Sequence, residues 1–158
     1  MPRMPSTDPH ARLAELGIQL PAVTPPAGAY IPAIRSGDYV YVSGQVPVAD
    51  GKLRATGKVG ADVTPERAKE LARQCAVCGL AAIDAAVGLD TVVRVVKVVG
   101  FVASAEGFTG QPGVINGASE LFAEVFGEAG RHARSAVGVA ELPLGAPVEV
   151  EMIVQVAG

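Results

Sequence analysis

The stretch Thr91–Ser104, TVVRVVKVVGFVAS, decides the fold. Its valines fall at successive rather than alternate positions, so as a strand it shows apolar side chains to both faces. A strand of that kind belongs in the middle of a sheet. The rest of the chain offers only two long helices, enough to cover one face of a five- or six-stranded sheet. The other face must meet something other than water. A homo-oligomer whose sheets pack across a symmetry axis is the economical answer.

Downstream of that strand, a helix is expected from about Pro112 or Gly113 to Phe126, with Leu121, Phe122 and Val125 apolar. Two closing strands follow, Ser135–Ala140 and Val148–Val156. The second alternates cleanly, placing Val148, Val150, Met152, Val154 and Val156 on one side and Glu149 and Glu151 on the other. Upstream lies the best helix of the chain. Thr64 is its N-cap, Pro65 its first residue, Glu66 complements its dipole, and Gly88 ends it. Leu71, Cys75, Cys78 and Ala82 sustain its apolar stripe, and its many alanines allow close packing on a sheet.

Before that helix come a turn-rich stretch, Pro47–Asp62, and a hairpin. The hairpin runs Tyr30–Arg35, turns at Ser36-Gly37-Asp38, and returns as Tyr39–Gln45, with Val40 and Val42 opposite Tyr39 and Tyr41. The order is β-β-α-β-α-β-β, an α+β pattern without a Gly-rich phosphate loop. Residues 1–26 form an N-terminal appendage: disorder over 1–6, a short helix at about Asp8–Leu16 stopped by Gly17, and the proline-stiffened arm PAVTPPAG, which begins at Pro21 and lies across the surface. Residues 27–158 form the main domain.

At 158 residues the chain reads as one domain with room for a sound core. The first sixteen residues lack the long apolar stretch of a signal peptide, and no window reads as a membrane span, so a cytoplasmic location and no membrane partner are expected. With 13 basic residues scattered along a chain of net charge −3, no nucleic-acid groove is expected either. Cys75 and Cys78 form a C-x-x-C in mid-helix, away from the helix N-terminus that lowers a redox thiol's pKa, and no further Cys/His pair completes a metal site. Both are read as inert packing residues, and no metal is expected.

Residues able to carry chemistry are few. His132 is the one histidine beyond the start of the chain, too little for a serine triad. Ser43-Gly44-Gln45 ends a strand. It is either a place where a ligand approaches the backbone or a plain strand end with a bulge. Arg134 opens a strand, and Glu149 and Glu151 share a polar face. The bland alternative is an ordinary wet surface. The functional one is an arginine that grips a carboxylate beside an acid that activates water. If Leu142–Ala146 closed a tight hairpin, Arg134 would face Val154, roughly 16 Å along the strand from Glu149, too far to share a small substrate.

The stretches YVYVSGQVPV (from Tyr39), GKVGADV (from Gly57), RVVKVVGFVAS (from Arg94), VINGASELFAEVFG (from Val114) and ARSAVGVAELPLGAPVEVEMIV (from Ala133), in that order, resemble the RidA/YjgF family over about residues 27–156. The resemblance implies a chorismate-mutase-like α+β fold. It also implies a homotrimer with a central barrel and three clefts between subunits. The implied activity is hydrolysis of reactive enamines and 2-imino acids to 2-oxo acids and ammonia, with no cofactor. By motif position Arg134 holds the substrate carboxylate and Glu149 positions or activates water. Tyr30, Ser43, Gly44 and Asn116 border the bound substrate. The chain departs from the family pattern at Ile31-Pro32, where Ser-Gln is common, and at Ala136, where a cysteine is common. Alternatives on the same scaffold are a non-catalytic trimer that binds small carboxylates or holds proteins, and, least of all, an endoribonuclease.

Overall fold

The computed structural model describes residues 8–23, 26 and 28–158. The disorder expected for residues 1–6, and Thr24, Pro25 and Ala27 of the arm, lie outside the described residues. Five strands form the main sheet: β1 (Ala33–Ser36), β2 (Tyr39–Gln45), β5 (Val92–Ala103), β6 (Ala133–Val139) and β7 (Val148–Val156). Two-residue strands β3 (Val48–Ala49) and β4 (Lys52–Leu53) pair separately within the turn-rich stretch. The helices are α1 (Pro9–Glu15), α2 (Pro65–Val87) and α3 (Gln111–Phe126).

The local signals act as read. The Thr64 hydroxyl accepts from the Arg67 N–H at 3.1 Å, Pro65 follows it, and α2 stops at Gly88, whose φ of 82° suits glycine alone. Strand β1 starts three residues later than expected. Pro32 has no N–H to give a ladder, and its carbonyl instead accepts from Ser43 N at 2.8 Å. Helix α1 is capped by Asp8, buries Leu13 in the common core, and is tied down by Arg12 Nε donating to the Glu124 carbonyl at 2.7 Å.

The sheet order is β1-β2-β7-β5-β6. Strands β6 and β7, consecutive in sequence, are not hairpin partners, because β5 lies between them, parallel to β6 and antiparallel to β7. The cause is the crossover. β5, α3 and β6 make a strand–helix–strand unit, whose strands pair in parallel, and the second edge of β5 is left for β7.

Helices α2 and α3 cover one face. Leu71, Leu80, Ile83, Ile115, Leu121 and Phe122 meet Val40, Val95, Val98, Val102 and the even positions of β7, all essentially buried. The two helices touch so closely at Gly117 that a Cβ there would fall on the Lys69 carbonyl oxygen. The other face carries no helix among the described residues. Ile34, Tyr39, Tyr41 and Val137 remain exposed on it, with Val99, Phe101 and Ile153 half-buried among them. The bare apolar face expected from Thr91–Ser104 is present.

Candidate functional site

Arg134 is the second residue of β6 and points to the helix-covered side. Its Nη1 donates to Asn116 Oδ1 at 2.7 Å and to Ser119 Oγ at 3.2 Å. Asn116 and Ser119 stand one turn apart on α3, so a single helix face holds the guanidinium. No described carboxylate pairs with Arg134, and its Nε and Nη2 find no acceptor among the described residues. That free edge is the one that forks onto a carboxylate. A cavity of about 250 Å³ opens there, lined by Ser119, Ala123, Gly130, Arg131, His132 and Arg134.

His132 packs edge-on against Phe122, with ring centroids 5.9 Å apart, and its Nδ1–H donates to the Ala133 carbonyl at 3.0 Å. Burial pushes its pKa below the ordinary value and the Arg134 charge adds to that, against the pull of the Ala133 bond. Burial thus favours the neutral ring, and the local permanent charge is arginine's.

Glu149 lies elsewhere. It belongs to the odd positions of β7, on the face without helices, at the level where β2 bulges: Val42 pairs with Met152 but Gln45 with Val150, leaving one extra residue in Ser43-Gly44. The bulge brings Gly44 against the Glu149 side chain so closely that a Cβ would overlap the carboxylate. Burial raises the Glu149 pKa, and the neighbouring Glu151 raises it further.

The bulge also anchors the entering chain. Ser43 Oγ donates to the Ile31 carbonyl at 2.7 Å, and Gln45 Nε2 donates to the Ser43 carbonyl at 2.9 Å. Tyr30, exposed, Pro32 and Gly44 line a cavity of about 100 Å³ beside it. Tyr30, Ser43, Gly44 and Glu149 are thus gathered at one end of the sheet, and Asn116 and Arg134 at another place.

Strand register separates the two groups. Arg134 is level with Val98 and Met152, Glu149 with Phe101. Three residues along the strands and two strands across put their Cα atoms roughly 14 Å apart, and the side chains leave opposite faces. Within one chain they cannot hold one small molecule. Asn116, expected to border the substrate, accepts a hydrogen bond from Arg134. Ser119 was missed altogether, although its i+3 spacing from Asn116 marks the same helix face.

Among the described residues no group of His, Cys, Asp and Glu could hold a metal ion, and no helix is long and apolar enough to cross a membrane. Cys75 is fully buried with its S–H toward the Val148 carbonyl, and burial drives its pKa well up. Cys78 is raised by burial as well. Neither thiol has the low pKa of a redox pair.

The family model described as Endoribonuclease L-PSP matches residues 21–156. The chain belongs to the RidA/YjgF family. Protein TCP17 from Trypanosoma cruzi is 49% identical over 147 residues, 92% of each chain. Atu1372 from Agrobacterium tumefaciens is 47% identical at a TM-score of 0.88, over 95% of this chain and 94% of that one. The YjgF product of E. coli is 29% identical at a TM-score of 0.60, over 85% of this chain and 92% of that one. The Atu1372 match is too long to leave out the first 26 residues. Within the RidA/YjgF family, then, the Atu1372 match extends into the first 26 residues, while the shorter YjgF match superposes more loosely.

Proposed function

We propose that this RidA/YjgF chain is a homotrimeric hydrolase that converts small reactive 2-imino acids, or their enamine tautomers, to 2-oxo acids and ammonia. The observation that carries the reading is Arg134, a guanidinium fixed on one side by Asn116 and Ser119 with its carboxylate-binding edge free. A second copy seated on the bare sheet face would cover Tyr39, Tyr41, Ile34 and Val137. It would also bring the Arg134 group of one subunit to the Glu149 group of the next, as separation within one chain requires.

In that cleft the imino acid's carboxylate forks onto Arg134 Nε and Nη2. Glu149 accepts a proton from a water whose oxygen bonds to C2 and gives it to the nitrogen, onto which the C=N π pair moves, so that the carboxylate is ionised again. The carbinolamine then passes its hydroxyl proton out through Glu149 to the amino group. The C–N bond breaks, ammonia leaves, and the C=O of the 2-oxo acid forms. The raised Glu149 pKa suits a base that must also return a proton. Ala136 in place of cysteine removes no group from these steps. The chemistry needs no metal or cofactor, and the intracellular release of such imines fits a cytoplasmic enzyme.

The test is to generate a 2-imino acid in situ with an amino-acid oxidase and follow its decay and the appearance of 2-oxo acid. Acceleration over the solvent reaction, lost in Glu149→Gln, is expected. Absence of acceleration, with 2-oxo acids still bound through Arg134, would leave the carboxylate-binding trimer as the function.

A further inference from the structure

Two cavities lie side by side at the Gly44 end of the sheet. The smaller, about 100 Å³, touches Gly44 and Tyr30, and its inner wall is Gln45, Val48 and Cys78. The larger, about 520 Å³, has the same three residues in its wall and is closed by Pro21 and Val23 of the N-terminal arm and Ala81 of α2. The large volume follows from small side chains: Ala22, Ala49, Gly51 and Ala81 stand where bulkier ones would fill it.

The shared wall offers Val48 and the Gln45 stem as hydrocarbon and engages several of its polar atoms, leaving Gln45 Oε1, an acceptor, without a partner among the described residues. Gln45 Nε2 is given to the Ser43 carbonyl, and the Val48 carbonyl accepts both Cys78 Sγ–H at 3.3 Å and Gln74 Nε2 at 2.8 Å. No described residue lining either cavity is basic, and Asp50 lines the larger one. A carboxylate is unwelcome in both, so an acid bound near Gly44 must turn its charge away from them and its side chain toward them.

We propose that the larger cavity is the side-chain pocket of the site, taking the branched aliphatic or aromatic side chain of a 2-imino or 2-oxo acid. This rests on the reading of the site as an imine hydrolase. The smaller cavity alone accommodates a methyl or ethyl group beside the reacting carbon. A longer apolar chain passes over Gln45 and Val48 into the space built by the arm. Preference for large apolar side chains therefore depends on Pro21 and Val23 of the arm together with Ala49 and Ala81 of the main domain.

The experiment measures binding of pyruvate, 4-methyl-2-oxopentanoate and phenylpyruvate by calorimetry to wild type, Ala81→Leu and Ala49→Leu. Two filling variants on different elements guard against one failing to fold. Wild type should bind phenylpyruvate roughly tenfold or more tighter than pyruvate, the discrimination ordinary for added apolar groups in a fitted pocket. Either filling variant should collapse that ratio toward one. Equal affinity for the three acids in wild type, or a ratio untouched by both variants, overturns the pocket. Turnover separates the two ideas. If the ratio collapses as expected but no imine is hydrolysed, the pocket stands and the imine hydrolase reading falls.

Discussion

Arg134 and Glu149 stand two strands apart on one sheet, and their surroundings are opposites. Arg134 is a permanently charged group on the helix-covered side, steadied by two neutral oxygens and lacking a counter-ion among the described residues. Glu149 is an acid on the bare side, pressed against Gly44 and made harder to ionise by burial and by Glu151. One is a guanidinium held by hydrogen bonds alone; the other is a carboxyl whose pKa is raised above the ordinary value. In the proposed reaction, binding and proton transfer fall to different faces of the chain, and the proposed oligomer is what would join them.

Glu149→Gln should break the proton-transfer half alone. Turnover is expected to fall by about 10²–10⁴-fold, the usual range for removing a general base, while affinity for a 2-oxo acid stays near that of wild type. Turnover and calorimetric affinity measured on the same preparation check the split. An equal loss in both would mean that Glu149 shapes the cleft rather than moves protons.

Arg134→Lys should break the binding half. Lysine keeps the charge but loses the planar fork. Loss of a charge-assisted pair costs about 1.5–3 kcal/mol, roughly ten- to a hundredfold in affinity. Titration of 2-oxobutyrate into wild type, Arg134→Lys and Arg134→Ala reads it. Equal affinity in all three would return Arg134 to an ordinary edge charge.

A third experiment addresses the joining itself. If Arg134 of one subunit faces Glu149 of the next, co-expressed Arg134→Ala and Glu149→Gln chains should assemble trimers in which roughly a quarter of the clefts hold both intact residues. Each variant alone would be close to inactive, and the mixture would recover a comparable fraction of wild-type turnover. No recovery in mixed trimers of proven composition would show that the two groups do not share a cleft.

What the sequence disclosed follows the range of the forces involved. The Thr64-Pro65 start and Gly88 end of α2, the alternation of β7 and the two-faced Val run of β5 are local or nearest-neighbour patterns, and they were legible. The placement of β5 between β6 and β7 is set by pairing across the sheet. The helix between β5 and β6 nevertheless signals a parallel crossover, and that signal could have retired the hairpin geometry for Arg134 and Val154. The Ser43-Gly44 bulge was legible as a possibility only, since its consequence, room for the Glu149 carboxylate, depends on a strand a hundred residues later. Asn116 and Ser119 as the support of Arg134 required knowing where α3 lies over β6.

The smallest expected effect separates the two halves by their dependence on pH. A guanidinium does not titrate in this range, whereas the folded pKa of Glu149 lies above the ordinary glutamate value of 4.5. A raised folded pKa means that the protonated acid is favoured by the folded chain. Its stabilising contribution is full below 4.5 and is lost as pH rises through the folded pKa. Glu149→Gln, uncharged at every pH, does not suffer that loss. The melting temperature of the variant minus that of wild type should therefore grow as pH is raised from 4.5 and level off once Glu149 is ionised in the folded protein. The difference is used because carboxylates remote from Glu149 cancel between the two chains. The amplitude should be a few degrees at most, since Glu149 is only half-buried and solvent screens it. A difference that shrinks with rising pH would mean that the folded chain favours the ionised acid, and would remove the ground for treating Glu149 as a base tuned toward neutrality.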